Sequence, residues 1–146
     1  MYQPLHFELY ELLPRGFYTK WYPKRENKLW QLFDSGILIT IDKLRRRYGK
    51  IYINDWYWNG KDFSQWRGLR TFESPYGTEL SQHRFCRAVD LIMWEVLAEK
   101  VRKDIIADPF CDDFLHIIGI EKDVSWLHID TRNWNKTKYG LYLFGS

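Results

Sequence analysis

Apolar residues recur at helical spacing in two long segments of the chain. In "DSGILITIDKLRRRYGK" the apolar positions are Ile37, Leu38, Ile41 and Leu44. This spacing of three and four residues predicts a helix with one buried face, with Asp34 or Ser35 as N-cap and Gly49 as its stop. "MWEVLAEKVRKDIIAD" carries the second pattern and is followed by Pro109. A shorter helix is predicted in "KRENKLWQLF", after Pro23.

Strand patterns lie mostly toward the C-terminus. "FLHIIGIE", "VSWLHIDT" and "YGLYLFG" are three short candidates separated by turns. "KIYINDWYW" is also predicted as a strand, and "RFCRAVDLI" as a strand or the lead-in to a helix. "HFELYELLP" fits a short strand or an extended arm ended by Pro14, and Gly60 and Gly68 bracket a loop. Helices early and strands late predict an α+β fold with a small, mostly antiparallel sheet flanked by helices.

Composition adds a surplus of aromatic rings to this picture. The 146 residues suggest one domain and include 8 Trp, 10 Tyr and 9 Phe, more than one small core can hide. Some rings are therefore expected at a ligand groove or a protein interface. The net charge is only +3. The basic run "KLRRRYGK" is interpreted as the solvated last turn of a helix, so no nucleic-acid partner is predicted.

Cysteine usage and hydropathy indicate where the protein is made. Cys86 and Cys111 are the two cysteines, too few for a disulfide framework. No apolar run approaches the roughly 20 residues of a membrane span. The N-terminus "MYQPLHFELYELLPRG" lacks the basic start of a signal peptide. We therefore expect a protein that is cytoplasmic when made, with no membrane span.

The four histidines are the main candidates for site chemistry. His83 and Asp90 lie seven positions apart in "LSQHRFCRAVDL", and His128 lies in the strand candidate "SWLHID". Two imidazoles and one carboxylate form a suitable ligand set for a catalytic zinc ion with water in the fourth position. Spacing alone leaves ordinary surface or hydrogen-bonded roles open for these residues.

The same segments resemble a known family. "SQHRFCRAVDL" is similar to the S-x-H-x-x-G-x-A-x-D segment of zinc D-alanyl-D-alanine carboxypeptidases of the VanY type, of L-alanyl-D-glutamate endolysins and of the hedgehog signalling domain. Upstream, "IDKLRRRYGKIYINDWYWNGKDFSQWRGLRTFES" resembles the family's helix, strand and S-G-Y-R stretch. Downstream, "IGIEKDVSWLHIDTRNW" resembles its last metal-binding strand. The resemblance suggests one domain over 1–146, with a peptidase-like core at about 36–134, an N-terminal arm and helix at 1–35 and a C-terminal strand at 135–146.

The resemblance implies a site as well as a fold. It implies one Zn²⁺ on the sheet, held by His83, Asp90 and His128. Arg70 falls at the family's substrate-binding arginine and would bind a carboxylate or the developing oxyanion. Ser81 would be a hydrogen-bonding group beside the ligands, on the substrate side. Trp126 is a candidate for lining the substrate groove, with a core position as the alternative.

Two positions depart from the family pattern. Cys86 stands where the family has a glycine that permits a tight backbone conformation, and its thiol is an alternative fourth ligand. Ser125 stands where the family has an acid as general base. In a strand, Asp130 shares a face with His128 and is the best-placed carboxylate to activate water. The alternative role for Asp130 is to orient a ligand; Glu121 and Asp123 are looser candidates for the base.

The resemblance implies a zinc metallopeptidase that cleaves an amide bond in peptidoglycan stem peptides, as a D,D-carboxypeptidase or an endolysin-like enzyme. A bacteriophage origin would fit the missing signal peptide, with action on the cell wall after release or in the virion. The alternative prediction is a catalytically inactive, zinc-stabilised binding or virion structural protein with the same fold. Its partner would be a virion protein or another protein.

Overall fold

The computed structural model describes residues 1–58 and 64–145. The helices in this part of the chain are α1 (Arg15–Arg25), α2 (Ser35–Tyr48), α3 (Ala98–Ala107) and α4 (Lys136–Tyr139). The strands are β1 (Ile51–Tyr52), β2 (Ala88–Met93), β3 (Gly119–Lys122), β4 (Leu127–Asp130) and β5 (Tyr142–Gly145). Short 3₁₀ helices span Leu9–Glu11, Glu26–Leu32, Gln82–Phe85 and Asp112–Phe114. Gly60, one end of the predicted loop, lies outside the described residues.

The five described strands form one sheet in the order β1-β2-β4-β3-β5. β1 pairs with β2, β2 with β4, and β4 with β3, all antiparallel. β5 runs parallel to β3 at the sheet edge. The α+β class is confirmed, and the sheet is mixed through this one parallel pair.

One face of the sheet packs into the hydrophobic core. Its residues Val89, Leu91, Ile120, Leu127 and Ile129 are fully buried. α2 and α3 pack against β2 and β4. The four apolar residues predicted on α2 are each at most 1% exposed. Burying side chains of this size stabilises the fold by about 1.5–3 kcal/mol each. The helices therefore pack on one face of the sheet, and the candidate site can lie on the opposite face.

The predicted helix over the first apolar pattern is confirmed. α2 begins after Asp34, whose side chain accepts a hydrogen bond from the amide of Ile37 at 3.3 Å. This is the N-cap interaction expected of aspartate. α2 ends at Gly49, whose φ of +86° is the left-handed conformation that glycine adopts readily.

The second helical pattern begins later than its sequence suggests. α3 starts at Ala98, because Met93 belongs to β2 and pairs with Ile51. The strand predicted from "KIYINDWYW" is only two residues long. Asn54 leaves the ladder there, since its amide donates to Glu11 O at 2.8 Å and its side chain to Leu13 O at 3.1 Å.

The N-terminal predictions need the most correction. "HFELYELLP" forms a 3₁₀ helix at Leu9–Glu11 and no strand, because Glu8 and Glu11 close a capping box around it. α1 contains Pro23, which sits in its last turn, and the chain continues as the 3₁₀ helix Glu26–Leu32. The four-residue α4 was not predicted.

The basic run at the end of α2 is partly neutralised. Lys43 pairs with Asp112 at 3.0 Å and Arg47 with Asp113 at 3.2 Å. These pairs join α2 to the 3₁₀ helix Asp112–Phe114, which supports a structural role for the run. Within the described residues, no helix is both long and apolar enough to cross a bilayer.

Candidate metal centre

The site lies on the face of the sheet opposite the core. The register of β2 and β4 places Asp90 directly opposite His128. His83 comes from the 3₁₀ helix just before β2 and turns onto the same face. All three residues are buried, and each offers one ligand atom within 4.8 Å of the others. The structure therefore brings together the three predicted metal ligands from two strands and one turn.

The spacing of the ligand atoms suits a small divalent ion. Asp90 Oδ1 lies 3.3 Å from His83 Nε2 and 2.9 Å from His128 Nδ1. Tetrahedral zinc with ligand bonds of about 2 Å separates neighbouring ligand atoms by about 3.3 Å. These side chains could thus hold such an ion with little rearrangement.

The orientation of His83 is fixed by its other ring nitrogen. His83 Nδ1 lies 2.9 Å from the carbonyl oxygen of Gly68 and must donate to it. In the neutral imidazole Nε2 carries the lone pair, and this buried atom has no hydrogen-bond partner among the described residues. A methyl group on Gly68 would clash with the carbonyl oxygen of Leu12, so only glycine fits there. A buried, unsatisfied acceptor facing a carboxylate fits a metal ligand.

His128 is oriented by a carboxylate in the same way. His128 Nε2 donates to Asp130 Oδ2 at 2.9 Å, which directs Nδ1 toward Asp90. Burial opposes the charged ring, but hydrogen bonds to Asp130 and Asp90 raise the pKa of His128 to about 9. A proton on Nδ1 therefore occupies the position that a metal would take, and the two compete for it.

Asp130 is itself held by several groups. Arg132 donates to it from Nε at 2.8 Å and from Nη2 at 2.6 Å. Burial opposes ionisation, yet Arg132 and His128 lower the pKa of Asp130 to about 2. A methyl group on Gly119 would clash with the Asp130 carboxylate. Glycine on β3 is thus required to leave room for this carboxylate.

The Asp90 carboxylate is shared between the ligand group and Arg70. Arg70 Nη2 donates to Asp90 Oδ2 at 2.9 Å, which leaves Oδ1 for the metal. Burial opposes its ionisation, but His83 and His128 hold the pKa of Asp90 well below its usual range. Asp90 is therefore an anion, as a metal ligand must be.

An open cavity of about 880 Å³ lies above these residues. Arg70, Ser81 and Trp126, the predicted substrate-side residues, all line it together with His83, Asp90 and His128. Arg70 also donates from Nε to the carbonyl oxygen of Trp66 at 2.8 Å, so much of its fork is already engaged. The volume is within the range of ligand sites, about 300–1,000 Å³.

Cys86 adopts the conformation expected of the family's glycine. Its φ of 56° and ψ of 34° are left-handed, and its side chain is buried in the core. Burial raises the pKa of the Cys86 thiol to about 12. The group of potential ligands among the described residues includes His83, Asp90 and His128 and no cysteine, which gives the alternative of a fourth thiol ligand no support.

The carboxylates near the site differ in access. Asp130 is fully buried and is not among the residues that line the cavity. Its bonds to His128 and Arg132 favour the orienting role over water activation, which stays a prediction. Ser125 and Glu121 do line the cavity. Arg132 and Gly119 went unnoticed in the sequence, because only the strand register reveals what Gly119 touches and only the folded structure shows Arg132 on Asp130. Gly68 was noted as a loop end, without its contact to His83.

Comparison with known proteins assigns no family to this α+β chain with its His-Asp-His ligand group. No family model matches the sequence, and no solved structure matches it. It is similar to flavin-containing amine oxidase A of Bos taurus, at 23% identity over 123 residues. That match covers 80% of this chain but 22% of the oxidase. The sequence has no Gly-x-Gly-x-x-Gly run of the kind that binds dinucleotides.

Proposed function

We propose that the protein is a zinc metallopeptidase that hydrolyses an amide bond in peptidoglycan stem peptides, with the fold of the zinc D,D-peptidases and the hedgehog domain. The observation that carries the proposal is the convergence of His83, Asp90 and His128 at the base of an open cavity. The unpartnered lone pair of His83 Nε2 supports the metal directly. The segments that resemble the zinc D,D-peptidases occur in the same order along this chain, which supports the proposed relationship to that family.

The cavity also suits an anionic peptide. Arg67, Arg70 and Arg132 line it against two acids, Asp90 and Glu121. A planar guanidinium binds carboxylates through paired hydrogen bonds. A stem peptide that ends in a free carboxylate would therefore be drawn into this cavity and oriented by it.

Each ligand-holding residue has a chemical task in this scheme. A zinc ion at this position would supply Lewis acidity, polarising the scissile carbonyl and making a water molecule more acidic. Asp130 keeps His128 in the tautomer that presents Nδ1, and Gly68 does the same for His83 Nε2. Arg70 holds Asp90 and presents its remaining donor atoms to the substrate. Release by a bacteriophage would bring the protein to the cell wall.

The test combines metal analysis with turnover. We expect the purified protein to bind one zinc per chain and to release D-alanine or a peptide fragment from purified peptidoglycan fragments. His128→Ala should lose both the zinc and the turnover. His6→Ala, which removes an exposed imidazole outside the cavity, should keep both. A zinc-free wild-type protein after zinc addition would contradict the proposal.

A second function is favoured by one observation. Ser125 lines the cavity at the position where the resembling enzymes carry an acid. An inactive, zinc-stabilised binding or virion protein would show this change. For such a protein, zinc removal should lower the melting temperature while no peptidoglycan fragment is cleaved. Its partner would then occupy the cavity without being altered.

A further inference from the structure

Strand register places a third acid, after Asp90 and Asp130, on the face of the sheet that carries the proposed ligands. β3 pairs with β4 through Gly119 opposite Asp130 and Ile120 opposite Ile129. Extending this register by one residue beyond the Ile120–Ile129 pair sets Glu121 across from His128. Directly opposite residues of an antiparallel pair have Cβ atoms about 4.5–5.5 Å apart. On this extended register, Glu121 is the neighbour of His128 across the strand gap.

Two independent contacts indicate which face Glu121 occupies. Gly119, two residues earlier, faces the Asp130 side chain, since a methyl group at that position would clash with the carboxylate. Residues two apart in a strand share a face. On the other side, Glu121 pairs with Phe144 of β5, whose ring packs 5.3 Å from the His128 ring. Glu121 therefore lies on the same face of the sheet as Asp130, His128 and Phe144.

Glu121 differs from the other acids of this face in being accessible. It is half-buried and lines the cavity together with Arg70 and His128. Its carboxylate has no ion pair or hydrogen bond with the described residues. Its charge nevertheless reaches the site: burial lowers the pKa of Arg70, and the carboxylates of Asp90 and Glu121 oppose that shift.

The other candidate residues for proton transfer are less suitable. Asp130 is fully buried and already accepts from His128 and Arg132. Ser125 has no acidic or basic group at neutral pH. Asp123 lies in the turn after β3 and is not among the described cavity-lining residues. Within the described part of the chain, the carboxylates that line the cavity are those of Asp90 and Glu121. Asp90 is a proposed ligand, which leaves Glu121 for proton transfer.

We propose that Glu121 is the catalytic acid–base residue of this hydrolase, a role that rests on the proposed function. As the water oxygen bonds to the carbonyl carbon, one water proton passes to the Glu121 carboxylate. The C–N bond then breaks, and Glu121 delivers that proton to the leaving amine nitrogen. One water is consumed, one carboxylic acid and one amine are formed, and Glu121 returns to its starting state. Through Glu121, β3 therefore supplies the carboxylate that Ser125 lacks.

The decisive variant is Glu121→Gln, which keeps shape and removes the proton-accepting charge. Zinc affinity is measured by competition with a chromophoric chelator. Turnover is measured with peptidoglycan fragments and with a synthetic peptide that ends in D-alanyl-D-alanine. Binding of the uncleaved peptide is measured by calorimetry. We expect kcat to fall about 10²–10⁴-fold, with KM, zinc affinity and peptide affinity within about threefold of wild type. Glu73→Gln, an exposed acid outside the cavity, is the matched control and should behave as wild type.

The outcomes separate this role from the proposed function. An active wild type with an inactive but zinc- and peptide-binding Glu121→Gln variant supports both. An active wild type whose Glu121→Gln variant keeps kcat within threefold overturns the role of Glu121 alone. A zinc affinity that falls with Glu121→Gln overturns it too, because it would make Glu121 a ligand. A zinc-loaded wild type that cleaves none of the substrates overturns the hydrolase and the role together.

Discussion

Replacing Asp130 with asparagine separates the orientation of a metal ligand from ligation itself. Asparagine has nearly the shape of aspartate, so the buried site between β2 and β3 stays filled. The change removes the charge that receives His128 Nε2–H at 2.9 Å and two donors of Arg132. None of the three proposed ligands is altered. Any loss of metal affinity must therefore act through the orientation and basicity of His128.

The structure sets the size of both expected effects. Removing a carboxylate that supports a ligating histidine weakens metal binding about 10–100-fold, which corresponds to about 1.4–2.7 kcal/mol. The Arg132 guanidinium also loses its partner. Breaking a buried pair costs about 3–5 kcal/mol, and the Arg132 side chain is still 18% exposed, so the lower limit applies. A loss of about 3 kcal/mol lowers the melting temperature of a domain of this size by roughly 10 °C.

Two assays measure these effects separately. Zinc competition with a chromophoric chelator gives the affinity, and thermal unfolding in chelator gives the stability of the metal-free protein. Asp108→Asn removes an exposed charge at the end of α3, outside the cavity lining, and should change neither quantity. If Asp130→Asn bound zinc within twofold of wild type, the carboxylate would not support His128, and the assignment of its orienting role would be wrong.

Further predictions address the backbone and the protonation of the site. Cys86→Gly should change the free energy of unfolding by less than about 1 kcal/mol, because relief of the left-handed backbone strain offsets the lost burial of the side chain. Cys86→Val should destabilise the protein by more than about 2 kcal/mol. Chemical denaturation measures both. The metal-free protein should lose stability as the pH rises from 6.5 to about 9. The pKa of His128 is raised in the folded protein, so its proton stabilises the fold at low pH and is lost over this range. Zinc should abolish this loss, as measured by melting curves. Calorimetry in buffers of different ionisation enthalpy should show about one proton released from His128 per zinc bound at pH 7.5. Gly68→Ala should weaken zinc binding at least tenfold, because its methyl group would meet the Leu12 carbonyl oxygen and displace the acceptor for His83.

The sequence predicted the elements whose signals are local. The helical spacing of Ile37, Leu38, Ile41 and Leu44, with Asp34 before it and Gly49 after it, was sufficient to locate α2. The three late strands were recognisable from short apolar runs between turns. β1 was recognised but is shorter than predicted, because its end depends on bonds between distant residues such as Asn54 and Leu13. The 3₁₀ helix Leu9–Glu11 was missed, and the helix predicted in "KRENKLWQLF" is a 3₁₀ helix at Glu26–Leu32. Local pattern cannot report a tertiary partner.

The same distinction separates the three proposed ligands from the residues that orient them. His83, Asp90 and His128 were identified as a set because their residue types and order carry chemical meaning. Arg132 and Gly119 were not identified, since a charged residue after a strand and a glycine before an acid are common in any chain. Their importance comes from the register of β3 and β4, which sets Gly119 beside the Asp130 carboxylate.

Register also decides which acid of this face can do which work. Asp130 lies in a row with Ala88 and Gly119, whose small side chains let its carboxylate sink below the cavity surface. There it is shielded from water, and Arg132 keeps it ionised as a partner for His128. Glu121 lies two residues after Gly119 on the same face, and its longer side chain reaches the open cavity. The two carboxylates share a face, but depth assigns one to orientation and the other to proton transfer. Exchanging one acid for the other would therefore not preserve either task.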